Sequence, residues 1–452
     1  METPESREQV DILVKCKYLI PIVPFGIEYK DYAIAVKNQR ILKICPQTEA
    51  SRRYKAGKEY DLKHHLIMPG LINSQVCASM RLFKGLTSDF KHQTWLTEYI
   101  RPLEQKILNA DFVEDGAKLA ISEMIKSGTT CYADMYFFPT VSAAIAREIG
   151  VRSQIEFPVF DESSQRSADS YIHEGLKLHD SCKNQLLTKT AFAIDSLNML
   201  DSETLSLIAT YANELDLPIR IRLHENASEK SVSVNRFGSR PLERLIELGM
   251  LQPQTQLTHM IKIDAHDIQL LKKNGCHIIA CPESNLKLDN GFCPIEKLLL
   301  HGINVGLGTE SSACNTSLDL LGGIKIVNLL TKGFSKDSSF FDGHQSLQMA
   351  TLNGAKALNW QDQIGSLESG KFADFIAIDI RNIDCFPTTN MASAIVYGSS
   401  GSDVSHCWVG GKALMENSEL KTIRESDLVN ITEKWSQKLH SARSTVKGNR
   451  NL

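Results

Sequence analysis

Between residues 68 and 358, short apolar runs alternate with stretches of helical periodicity, and this alternation constrains the fold more than any other feature. Residues 110–127 place Phe112, Ala117, Leu119, Ala120, Met124 and Ile125 at helical spacing and stop at Gly128. Thr129–Met135 then reads as a strand. Further short strands are expected at 218–223, Gln256–His259, 278–281 and 305–308, with helices at 241–248 and 267–274 between them. Repeated βα units of this kind imply a parallel sheet, and a closed (β/α)8 barrel and a doubly wound open sheet both suit the local pattern. Outside this block, residues 11–22 and 32–44 are β-rich and residues 365–379 read as turn then strand. A polar helix over about 426–446 is expected to pack on the outside.

The totals exclude several classes. A chain of 452 residues is long enough for one large core and a smaller satellite. Its formal charge of −3 offers no basic field, which argues against a nucleic-acid partner. No apolar stretch approaches the roughly 18–20 residues of a membrane span, and the first residues lack the apolar core of a signal peptide. Eleven cysteines without a CxxC pair read as reduced, buried small residues, so a cytoplasmic location is expected.

The tract Met68-Pro69-Gly70-Leu71-Ile72-Asn73-Ser74-Gln75-Val76-Cys77 reads as a loop feeding a short buried strand with polar side chains at its end. Together with Gly365-Ser366-Leu367-Glu368-Ser369-Gly370-Lys371, it resembles the amidohydrolase superfamily. The resemblance is to the branch of S-adenosylhomocysteine and methylthioadenosine deaminases and triazine chlorohydrolases. It covers about residues 11–423. It implies a distorted (β/α)8 barrel over 68–358, a small β-sandwich from 1–67 and 359–423, and a C-terminal helix and tail over 424–452. It also implies a homodimer or tetramer and one catalytic zinc or iron.

Compared with that family, each site position carries an alteration or a survival. The two strand-one histidine ligands are Gln75 and Cys77, and an amide oxygen is a weak transition-metal ligand where a thiolate is a good one. The strand-five ligand is Arg222, a permanent cation, with His224 two residues on as a weak substitute. Glu225 keeps the carboxylate that shuttles a proton to the leaving nitrogen, and His259 keeps the imidazole that polarises the attacked group. Glu310 stands where the family has an aspartate that binds metal and accepts the water's proton. Asp195 stands where a substrate-side histidine would, and Trp95 falls in the segment that covers the site. The deaminases hold their substrates with arginines that residues 155–160 lack, which favours a small polar heterocycle over S-adenosylhomocysteine. Pro282-Glu283-Ser284-Asn285-Leu286-Lys287-Leu288 keeps the neighbouring scaffold.

Two functions follow. With its ligand positions changed, the chain reads first as a pseudoenzyme: an amidohydrolase barrel that holds no metal or other cofactor and binds a small polar heterocycle. Metal activation moves the pKa of water by about 8 units, roughly 11 kcal/mol, which a positioned carboxylate alone does not match. The alternative is a metal-independent or rebuilt-metal-site hydrolase that cleaves a C–N bond of a heterocycle with Glu225, His259 and Glu310. Within it, Cys77 could act as a nucleophile beside His259, and Arg222 is expected to pair with a carboxylate, Glu310 first. Cys276, Cys281, Cys293 and Cys314 read as core, and His64, His65, His92 and His301 as solvated.

Overall fold

The computed structural model describes residues 7–86, 94–160, 167–315 and 317–448, so His92 lies outside the described residues. Eight strands form a sheet in sequential order: Leu71–Val76, Thr129–Met135, Arg152–Val159, Thr188–Ile194, Ile219–Leu223, Gln256–His259, His277–Ala280 and Val305–Leu307. Registered pairs such as Leu257 beside Ile221 and Ile278 run parallel. Helices separate successive strands, because a parallel neighbour requires a crossover. The second and third strands are buried along their whole length, as expected of a sheet covered on both faces.

The ring closes between the first and eighth strands. Glu310 N donates to Gln75 O (3.0 Å) and Thr309 N to Asn73 Oδ1 (3.0 Å), while Asn73 Nδ2 donates to Thr309 Oγ1 (2.7 Å). Gly308 permits this approach: a Cβ there would lie 2.6 Å from Gln75 Cβ. The arrangement is a (β/α)8 barrel.

The chain folds as two compact units, one of Met1–Ile72, Met124–Cys131 and Asp319–Thr422, the other of Asn73–Glu123, Tyr132–Leu318 and Ile423–Leu452. The first is built on a mixed eight-stranded sheet drawn from both ends of the chain. Tyr54–Pro69 lies at its centre, parallel to Glu8–Leu19 and antiparallel to Phe375–Asp379. Alternation sends Val14, Cys16, Ile34 and Val36 to one apolar cluster and Leu13, Ala33 and Ala35 to another.

In the second unit the polar C-terminal helix (Glu425–Gly448) is more than a surface element. Trp435 and Leu439 join an apolar cluster with Phe83, Ile100, Leu103 and Phe112, and Trp435 Nε1 donates to Asp115 Oδ2 at 2.8 Å. All eleven cysteines are free and buried, which in this setting is core packing. Among the described residues no helix is long and apolar enough to cross a membrane.

Candidate active site at the strand ends

In such barrels, chemistry gathers at the C-terminal ends of the strands, and here backbone strain gathers there too. His224, His259 and Glu310 follow or close the fifth, sixth and eighth strands with φ of 54°, 75° and 57°. Non-glycine residues in the left-handed region persist where their surroundings over-determine them. The left-handed turn has a direct consequence at His224. The fifth strand ends at Leu223, so strand alternation no longer aims His224 the way Arg222 points. His224 is fully buried, neither ring nitrogen finds a hydrogen-bond partner among the described residues, and burial holds its pKa down to about 4. It is no substitute ligand.

Arg222 sits at the centre of a charged group. Its Nη2 lies 2.8 Å from Glu310 Oε1 and 3.2 Å from Cys77 Sγ, and its Nη1 donates to Asp195 Oδ1 at 3.0 Å. Burial works against the guanidinium's charge, but the charges of Glu310, Asp195 and Glu225 outweigh it and keep Arg222 firmly protonated. Gln75 Nε2 donates to Glu310 Oε1 at 3.2 Å. Burial, reinforced by Glu310, pushes the Cys77 thiol well above its ordinary range against the pull of Arg222. A thiol so held is a poor nucleophile, because reactivity belongs to the thiolate.

A second group is organised for proton handling. His259 Nδ1 meets Asn285 Oδ1 at 2.9 Å, an oxygen that can only accept, and Nε2 faces the two carboxylates of the site. Glu225 Oε1 and Glu310 Oε1 each lie 3.9 Å from that Nε2, beyond hydrogen-bond range. Asn290 Nδ2 donates to Glu225 Oε1 at 2.8 Å. The retained tract 282–288 thus supplies Asn285, and Asn290 follows two residues beyond it.

Trp95, at the start of the helical turn Trp95–Ile100, is buried in the apolar cluster that also holds Cys77 and Tyr136. One group escaped the sequence reading altogether. Glu104, on the helix Arg101–Ile107, accepts from the Tyr136 hydroxyl at 2.7 Å. Burial raises its pKa to about 7, with Asp195 adding to the rise and Tyr136 and Arg222 opposing it. Its signal was present: Glu104 shares a helical stripe with Ile100, Leu103 and Ile107, and a carboxylate on an apolar stripe is uncommon.

The family's ligand positions therefore converge, but on a guanidinium. Among the described residues no group of three or more His, Cys, Asp or Glu side chains is arranged to hold a metal. A cation on Glu310 and Cys77 would meet Arg222 at a cost of about 4 kcal/mol per unit of metal charge at 4 Å and an effective dielectric near 20. As placed, these donors do not fit a divalent ion while Arg222 occupies them.

Residues 66–414 match the sequence profile of the amidohydrolase family, and the chain belongs to that family. More particularly, it is 39% identical over 436 residues to a Teredinibacter turnerae protein named 5-methylthioadenosine/S-adenosylhomocysteine deaminase, covering 96% of this chain and 99% of that one. A protein of the same name from Saccharophagus degradans is 39% identical over 444 residues, covering 98% and 100%. Among solved structures, an adenosine deaminase from Xanthomonas campestris with bound zinc superposes with a TM-score of 0.94 at 32% identity, covering 96% and 100%. Zinc-complexed atrazine chlorohydrolase from Arthrobacter aurescens TC1 shares the fold, with a TM-score of 0.86 at 20% identity, covering 94% and 99%.

These relatives overturn two expectations. The pseudoenzyme reading fails because proteins named as deaminases match the chain over nearly its whole length. The expectation of no cofactor fails because the similar Xanthomonas deaminase binds zinc, marking a metal cofactor in this family. Both expectations rested on the exchanged positions Gln75, Cys77, Arg222 and Glu310, beside which Glu225 and His259 are retained.

Proposed function

We propose that the chain is a cytoplasmic hydrolytic deaminase, acting as a homodimer or tetramer on the exocyclic C–N bond of an adenosine-type heterocycle. The observation that carries this reading is the convergence of Glu225 and Glu310 on the same nitrogen of His259, each at 3.9 Å. Two carboxylates around one imidazole can take a proton from water and return it to a leaving nitrogen.

In the reaction, the oxygen of water bonds to the ring carbon that bears the amine, and the C–N bond breaks. One water proton goes to the departing amine, which leaves as ammonia, and the other ends on the ring nitrogen. Glu310, tethered by Gln75 and Arg222, accepts the proton of the attacking water. Glu225, held by Asn290, carries the water's other proton to the ring nitrogen, and the proton on Glu310 passes to the departing amine. His259, oriented by Asn285, directs Nε2 at the attacked centre. Arg222 and Asp195 line the partly exposed side of the group and suit the polar edge of a heterocycle.

The test is ammonia release from 5′-methylthioadenosine, with and without added zinc. Glu225→Gln removes the proton carrier and keeps the shape, so kcat is expected to fall by about 10²–10⁴-fold with KM little changed. Wild-type kcat in the variant would refute the assignment.

A further inference from the structure

The turn that presents Glu225 is held by a side chain outside the catalytic group. Where the fifth strand ends at Leu223 and His224 turns left-handed, three successive amides lose their strand partners. All three donate to one carboxylate. His224 N reaches Glu229 Oε2 at 2.6 Å, and Glu225 N and Asn226 N reach Glu229 Oε1 at 2.9 and 3.0 Å. Asn226 Nδ2 adds a fourth bond to the carboxylate, at 3.0 Å from Oε1. On the other side of the turn, His224 O accepts from Ile261 N (2.9 Å) and Lys262 N (2.8 Å), just beyond His259.

We infer that Glu229 is a positioning residue for the reaction. Its carboxylate collects the amides of 224–226, fixes that backbone against the segment after His259, and thereby sets the 3.9 Å separation of Glu225 from His259 Nε2. The inference rests on the role proposed for Glu225. Chemistry makes the carboxylate hard to replace, because charge-assisted bonds from backbone N–H groups are the stronger kind. Glutamine offers one acceptor oxygen, and its NH₂ would confront a backbone donor. Misplacing a proton carrier by about 1 Å costs on the order of 10²-fold in rate. Glu229 also stands in the first turn of the helix Ser228–Phe237, where a purely structural role would be to cap that helix.

Hydrogen exchange and kinetics on Glu229→Gln and Glu229→Asp separate these roles. In Glu229→Gln the amides of residues 224–226 are expected to exchange roughly tenfold faster or more, with those of Gln256–His259 unchanged. Turnover of 5′-methylthioadenosine is expected to drop roughly 10–100-fold in kcat with KM nearly constant, and Glu229→Asp to recover part of both effects. Unchanged exchange at 224–226 would overturn the clamp. Faster exchange with unchanged kcat would overturn its positioning role. If Glu229→Gln loses protection throughout the barrel, Glu229→Asp decides by the same two readouts. A wild-type protein without turnover would defeat the reading of Glu225 itself, while exchange still decides whether Glu229 holds the turn.

Discussion

Arg220 and Arg222 sit two residues apart on the fifth barrel strand, so both point inward, one layer above the other. Arg220 meets Glu156 through Nε and Nη2, each 3.0 Å from Oε1, and both side chains are 0% exposed. Gln154 completes that layer by donating to Glu156 Oε1 and Gln256 Oε1, both at 2.9 Å. Arg222 pairs with carboxylates at similar distances, yet it is 22% exposed and its partner Asp195 34%. The layers are linked through Arg220 Nη1 to Thr258 Oγ1 (3.3 Å), Thr258 Oγ1 to Gln75 Oε1 (3.5 Å), and Gln75 to Glu310. Barrel interiors are usually filled by branched apolar side chains, so the lower pair is a departure that only close mutual pairing makes tolerable. The same pairing is scaffold where water is excluded and candidate chemistry where the mouth opens.

Breaking the lower pair is expected to have the largest effect on stability. Arg220→Met strands the buried Glu156 carboxylate and should cost about 3–5 kcal/mol in urea unfolding, much of it recovered by adding Glu156→Leu. A loss below about 1 kcal/mol would erase the contrast between the layers. At the upper layer, Arg222→His is expected to cost less than half as much stability, because partly solvated charges are less penalised. It exchanges the blocking cation for an imidazole beside Glu310 and Cys77, so zinc retained per chain after dialysis should exceed that of the wild type. No gain in zinc would mean that Arg222 is not what occupies the ligand positions.

A third effect lies in pH dependence. Burial raises the pKa of Glu104 from 4.5 to about 7, so the folded protein holds this proton more tightly than the unfolded chain. That contribution is complete below pH 4.5 and lost as pH rises through about 7. Glu104→Gln lacks it. The stability of wild type relative to the variant should therefore decline across that window and level off above it. A flat difference in urea unfolding across that range would contradict the assignment.

Legibility in the sequence followed the same division. Strands five, six and eight lie within a residue or so of where the sequence pattern puts them. The third and fourth do not. Arg152, Gln154, Glu156, Thr188 and Thr190 are buried and break up the apolar run that would mark a strand. Tyr54–Pro69 is hidden for a related reason: Lys55, Lys58, Glu59, Asp61 and Lys63 give it a polar reading, although it is the central strand of the terminal sheet. It also separates the two ends of the chain, pairing Lys15 with Asp61 and Ile376 with Met68, which local pattern does not foretell. Among site residues, Glu225, His259 and Glu310 stood in recognisable tracts. Glu104 meets Tyr136 and Asn290 meets Glu225 only once segments distant in sequence come together, while Glu229 reaches amides three to five residues before it through a turn that periodicity does not mark.

Mixing purified protein with 5′-methylthioadenosine and measuring ammonia against nucleoside consumed tests whether this barrel cleaves a C–N bond. Ammonia released in equal amount to the nucleoside converted, and abolished by Glu225→Gln, is the predicted result. Binding of the nucleoside with no ammonia released, with zinc present as well as without, would contradict it.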